Sequence, residues 1–147
     1  MTATNHALTG AAIALAVKRP ELAIPLAFAS HFALDAIPHS GVPPGQFVFK
    51  KYFKIVAVDL TIAAILAVAL LIIFKDHFWL VFSCMAVAAG PDGIWWFYRK
   101  NLEKNDKTGI DPISRFHWWI QWKEFQKGIY IELLWFGLMI FLITQLK

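Results

Sequence analysis

Two histidines and an aspartate recur at four-residue intervals in HFALDAIPH, residues 31–39, at the end of the apolar run ELAIPLAFASHFALDAIPH. His31 and Asp35 are i and i+4, so an α-helix stacks them on one face. His39, at i+8, is turned by about 80° from His31 in an ideal helix. A His-x3-Asp pair presents an imidazole nitrogen and a carboxylate oxygen to one point, donors that suit zinc or another divalent first-row ion. Two readings stand for this stretch: a satisfied polar cluster that locks helices together, or half of a metal site. Further candidates are His6, Asp59, Asp92, His117 and Glu132, each set in or beside an apolar segment.

The elements that must position these residues are helical. Hydrophobic residues make up 59% of the 147-residue chain and charged residues 16%. A soluble domain has about 45–50% and about 25%, so the expectation is an all-α, single-domain, polytopic membrane bundle. The pattern predicts a short N-terminal hairpin over 4–18 and 21–37, too short to cross comfortably, then a turn-rich loop, HSGVPPGQ. Spans are predicted over 55–74, 78–98 and 128–146, with Pro91 kinking the second. Residues 112–127, PISRFHWWIQWKEFQK, mix aromatic and basic side chains as an in-plane interfacial helix does. The 7 Trp lie mostly beside charged stretches, as interfacial belts require. The single Cys84 excludes an internal disulfide and a cysteine-cluster zinc site. No positive n-region precedes the first apolar stretch, so a cleavable signal peptide is not expected.

The net charge of +4 invites a nucleic-acid reading, but the basic residues flank apolar segments and read as topological, so no nucleic-acid partner is expected. If the hairpin crosses twice, Lys18, Arg19, Lys75 and Lys147 fall on one side and the other ten of the 14 Lys and Arg on the opposite side. The positive-inside rule then places the N-terminus, residues 39–54 and residues 98–127 in the cytoplasm.

Depth ties the ionisable residues together. His6, the His31–Asp35–His39 run, Asp59, Asp92 and Glu132 all fall within about 12 Å of the cytoplasmic interface at 1.5 Å rise per residue. Charge in hydrocarbon costs at least about 2.5–3.5 kcal/mol near the bilayer centre, and the spans hold no Lys or Arg to offset it. Histidine and a metal ion are the cations on offer, and this common depth favours the metal reading. Zinc leads, with manganese and iron as alternatives. His6, His31, Asp35, His39 and Asp92 are the expected ligands. Asp59 is a further ligand candidate, and Asp59 or Glu132 is the expected general base. His117 either packs at the interface or tucks over the site as ligand or acid. His77, in KDHF, lies at the opposite face.

NHALTGAAIALAV, LAFASHFALDAIPH, a later Pro-Asp and FHWWIQ together resemble a family of small bacterial inner-membrane proteins described as metal-dependent hydrolases, one branch of which is LexA-binding. The resemblance covers residues 5–39 and scattered points beyond. It implies His6, His31, Asp35, His39 and Asp92 as metal ligands. The Pro-Asp-x-Asp-His and Thr-His-Ser signatures of the broader group are absent; this chain reads GPDGIWW.

The leading expectation is a membrane-embedded metal-dependent hydrolase with its site in the cytoplasmic leaflet, acting on a lipid-like phosphoester drawn from the bilayer. Two alternatives stay open: a non-enzymatic membrane protein whose cluster is structural and which binds a partner through residues 98–127, or a metal or ion transporter. Homo-oligomerisation is compatible with each. No Gly-x-Ser-x-Gly elbow, P-loop or dinucleotide fingerprint is present.

Overall fold

The computed structural model describes residues 1–41, 48–121 and 128–146. The turn-rich reading of 42–47, residues 122–127 of the expected interfacial helix, and Lys147 lie outside the described residues. Among the described residues seven α-helices follow in order: α1 (Ala3–Val17), α2 (Pro20–Asp35), α3 (Phe49–Ile73), α4 (Phe78–Ala89), α5 (Arg99–Lys104), α6 (Pro112–Ile120) and α7 (Ile129–Gln145). Short 3₁₀ segments occupy Lys75–His77 and Gly90–Trp96. No strand occurs among the described residues.

Local chemistry sets the boundaries. Lys18 takes the left-handed conformation (φ 56°), and its N–H bonds the Ala14 carbonyl, which ends α1. Arg19 is extended, as the residue before a proline must be, and Pro20 opens α2. The predicted N-terminal hairpin follows from this two-residue hinge. Helix α2 stops at Asp35, two residues short of the predicted end, so His39 lies beyond the helix. The predicted kink at Pro91 takes a definite form. Helix α4 ends at Ala89 and the chain tightens into 3₁₀ geometry through Trp96. Helix α5 was not anticipated, and α3 begins several residues earlier than the predicted 55.

Helix α1 is the hub, packed against α2, α3, α4 and α7. It can occupy the centre because several of its inner positions are small, with Leu8 and Leu15 filling the gaps between helices. Ala7, Ala11 and Ala14 are buried. A Cβ placed on Gly10 would sit 2.4 Å from the Cys84 carbonyl oxygen, so only glycine lets α1 and α4 approach this closely. Large side chains point the other way: Ile65, Ile72, Trp79 and Leu134 are at least 64% exposed. Two helical stretches, Phe53–Ile73 and Lys75–Trp96, are long and apolar enough to cross a membrane. A second, small cluster joins Leu102, Ile110 and Trp118 with Trp95 and Tyr98, seating α6 over the end of the bundle.

Candidate metal centre

Three elements meet where α2 ends. His31 and Asp35, both buried, share one face of α2, with His31 Nε2 3.3 Å from Asp35 Oδ2. The tightening of the chain after α4 matters here. In the 3₁₀ register the Ala88 carbonyl faces Pro91, which has no N–H to give. His31 fills that vacancy: its Nδ1 donates to the Ala88 oxygen at 2.7 Å. The proton of neutral His31 is thereby held on Nδ1, and Nε2 carries a lone pair toward Asp35. This is how a protein orients a liganding imidazole.

The same 3₁₀ segment delivers Asp92, whose Oδ1 lies 3.7 Å from His31 Nε2 and 3.6 Å from His117 Nε2. His117 arrives from α6, with Nε2 2.6 Å from Asp35 Oδ2 and 3.0 Å from His31 Nε2. Donor atoms of His31, Asp35, Asp92 and His117 all lie within 4.8 Å of one another. Four ligands about 2.0–2.2 Å from a tetrahedral zinc stand about 3.3–3.6 Å apart; separations of 2.6 to 3.7 Å scatter around that spacing, and the two-nitrogen, two-oxygen group could hold such an ion. Asp92 is its open side, 28% exposed, while the other three are buried.

His6 borders the group. Its ring stacks on His31 with centroids 4.1 Å apart, and Nε2 lies 3.1 Å from Asp35 Oδ1 and 3.8 Å from Asp92 Oδ2. Two contacts to Asp35 had no forewarning in the sequence. The Met1 α-ammonium ion-pairs with Oδ1, and Gln121 Nε2 donates to Oδ2 at 3.3 Å. The premise that histidine and a metal ion are the cations on offer is therefore corrected at Asp35, where the α-ammonium is a third.

Three expected roles change. His39 is buried but is not a member of the four-residue group; its Nδ1 donates to the Ile37 carbonyl at 2.7 Å. Because α2 ends at Asp35, helical stacking does not carry His39 onto the His31 face. Asp59 and Glu132, expected as general bases, hold the start of α1 instead. Asp59 accepts from the Ala3 N–H at 2.7 Å, the Thr4 N–H at 3.2 Å and the Thr4 hydroxyl at 2.6 Å. Glu132 accepts from the Thr2 N–H at 3.1 Å, the Thr2 hydroxyl at 2.7 Å and the Asn5 amide at 2.7 Å. The first N–H groups of any helix lack intrahelical partners and carry partial positive charge. Thr2, at the cap position, makes no side-chain cap bond, so α3 and α7 supply the caps from outside. His117, expected over the site as ligand or acid, stands among the ligand atoms.

The placement of His117 depends on a cap of its own. Asp111 accepts from the Ile113 and Ser114 N–H groups, Pro112 occupies the first turn, and the Ser114 hydroxyl and Tyr98 phenol also donate to Asp111. These bonds, the Ser114 hydroxyl first, hold the Asp111 carboxyl down to about 2. Asp-Pro-x-Ser is a readable helix start, and it would have set the register of α6.

Comparison of the chain with family models, with curated proteins and with solved structures gives no match.

Proposed function

We propose that this chain is a membrane-embedded, metal-dependent hydrolase whose site lies at the cytoplasmic end of the bundle and acts on a lipid-like phosphoester. The observation that carries the reading is the convergence of His31, Asp35, Asp92 and His117 on one point, with the His31 Nε2 lone pair aimed by the Nδ1 bond to Ala88. Zinc suits this donor set best, with manganese and iron as alternatives. A divalent ion bound there supplies Lewis acidity and lowers the pKa of coordinated water toward about 7. The rest falls to the chain's own groups. With Asp59 and Glu132 engaged as caps, Asp92 is the carboxylate at the open side that can meet a substrate and accept a proton. His6, stacked on His31, orients Asp35.

The apolar exterior supports a membrane location. Large aliphatic residues on the outside suit a bundle whose surroundings are hydrocarbon. On this reading the chain is multi-pass in a bacterial inner membrane with a cytoplasmic N-terminus. Arg99, Lys100, Lys104, Lys107 and Arg115 follow the 3₁₀ segment that bears Asp92. Cations there attract an anionic headgroup.

One observation favours a second reading, a structural polar cluster. A proton on His117 Nε2 can be shared between Asp35 Oδ2 and His31 Nε2, and the Met1 ammonium adds a positive charge. Asp35, His31 and His117 are then satisfied by protein groups alone. Elemental analysis of protein purified in detergent separates the two. The hydrolase reading expects stoichiometric zinc, manganese or iron, lost in His31→Ala and Asp35→Ala, together with metal-dependent release of phosphate or headgroup from a lipid phosphoester. Metal-free protein that is fully folded would sink it. Metal flux into proteoliposomes would mark a transporter instead.

A further inference from the structure

Trp95 has a buried indole Nε1–H with no hydrogen-bond acceptor among the described residues. Such a group forfeits its hydrogen bond to water without gaining another, so its persistence beside a candidate site needs a reason. The neighbours of Trp95 supply one. It lies on the 3₁₀ segment Gly90–Trp96, three residues after Asp92. A 3₁₀ helix has three residues per turn, so positions i and i+3 lie one above the other. Trp95 therefore shares a face with Asp92, the open member of the metal group. Its ring also packs on His117, with centroids 5.0 Å apart, and meets Trp118 edge-on at 5.9 Å. The Lys107 ammonium lies over the Trp118 ring, 5.5 Å from its centroid.

Resting on the hydrolase reading above, we infer that Trp95 is a substrate-binding residue whose indole N–H donates to an anionic oxygen of a phosphoryl group entering the metal site at its open side, beside Asp92. Indole suits this duty. It is a donor only and cannot be deprotonated at working pH, so it bonds an anion without competing for the ion. Packing on His117 and Trp118 holds the ring in place, so little freedom is lost on binding. A hydrogen bond to a charged partner is worth about 1.5–3 kcal/mol, or roughly a tenfold to hundredfold change in affinity for the anion.

The test uses zinc-loaded protein, freed of excess metal, in detergent micelles, with ¹⁵N-labelled tryptophan and inorganic phosphate as the probe. Trp95→Phe removes one indole resonance and so assigns it. The expected result is that this resonance moves downfield as phosphate is added. In Trp95→Phe, phosphate binding weakens about tenfold or more while zinc content is unchanged. A second replacement, of Trp95 by benzothienylalanine, keeps the size of the ring and its packing on His117 while removing the N–H. It should reproduce the loss even if the phenylalanine variant folds poorly. If zinc and phosphate bind but the Trp95 resonance stays still, or the benzothienyl protein binds phosphate as tightly as wild type, the role of Trp95 is overturned while the hydrolase reading stands. If the folded protein binds none of zinc, manganese and iron, or binds metal but no phosphate, the hydrolase reading falls and this inference falls with it.

Discussion

Two pairs of carboxylates sit at the same end of the bundle, and the molecule neutralises them by different means. Asp59 and Glu132 accept hydrogen bonds from backbone N–H groups, hydroxyls and an amide at the start of α1. Asp35 and Asp92 face imidazole nitrogens of His6, His31 and His117. The first pair is closed: its partners are fixed donors, and the positive end of the helix dipole compensates the charge. The second is open: imidazole can present a proton or a lone pair, so the same geometry can take a cation. Depth and charge alone do not tell a clamp from a ligand. The partner does.

The sharpest way to break the distinction is to remove one member of each pair. Asp35→Ala deletes the carboxylate that His6, His31, His117 and Gln121 all approach. Metal affinity should fall by at least about 100-fold, beyond the 10–100-fold range of outer-shell changes, as read by metal content after dialysis against a weak chelator. Asp59→Ala should instead leave metal content near wild type while lowering stability by about 1–3 kcal/mol, because buried N–H groups of α1 lose their acceptor. Thermal unfolding in detergent measures this. Loss of metal from Asp59→Ala as complete as from Asp35→Ala, in protein that remains folded, would erase the comparison.

Gly10→Ala probes the hub that both regions share. The new methyl group would press on the Cys84 carbonyl, and overpacking of this kind costs about 1–3 kcal/mol. The melting temperature should drop, with α1 displaced from α4. A variant as stable as wild type would show that α1 does not seat as closely as Gly10 implies.

The smallest effect belongs to the α6 cap. Asp111→Ala should weaken metal binding by only a few-fold, through looser placement of His117. Its pH dependence has a definite sign. The carboxyl is depressed from 3.8 to about 2, so its contribution is fully present above the ordinary value and is lost as pH falls toward 2. The difference in melting temperature between wild type and Asp111→Ala should therefore shrink over that acidic window. A difference that is constant through it would mean that Asp111 does not cap α6 as an anion.

Much of this was legible in the chain, for reasons that differ by residue. The all-helical fold, the apolar stretches long enough to cross a membrane and the His31–Asp35 pair follow from local periodicity, since i and i+4 share a face wherever a helix forms. The kink at Pro91 was readable because proline lacks a donor. The 3₁₀ form of that kink, which brings Asp92 and Trp95 onto one face, was not. Asp59 and Glu132 lie at the same end of the bundle as the metal group, as read from the sequence, but as caps of α1 rather than as bases. A tally of cationic side chains leaves out the N–H groups at a helix start, which have no letter of their own in the sequence.

What the sequence determined by itself was which residues lie on one helical face and at one depth, because both depend only on rise and rotation along the chain. Tertiary structure decided which of those residues meet. His117 joins His31 across 86 positions, and α1 finds its caps on α3 and α7. Contacts over such separations depend on how helices cross and where turns end, and no local periodicity encodes either.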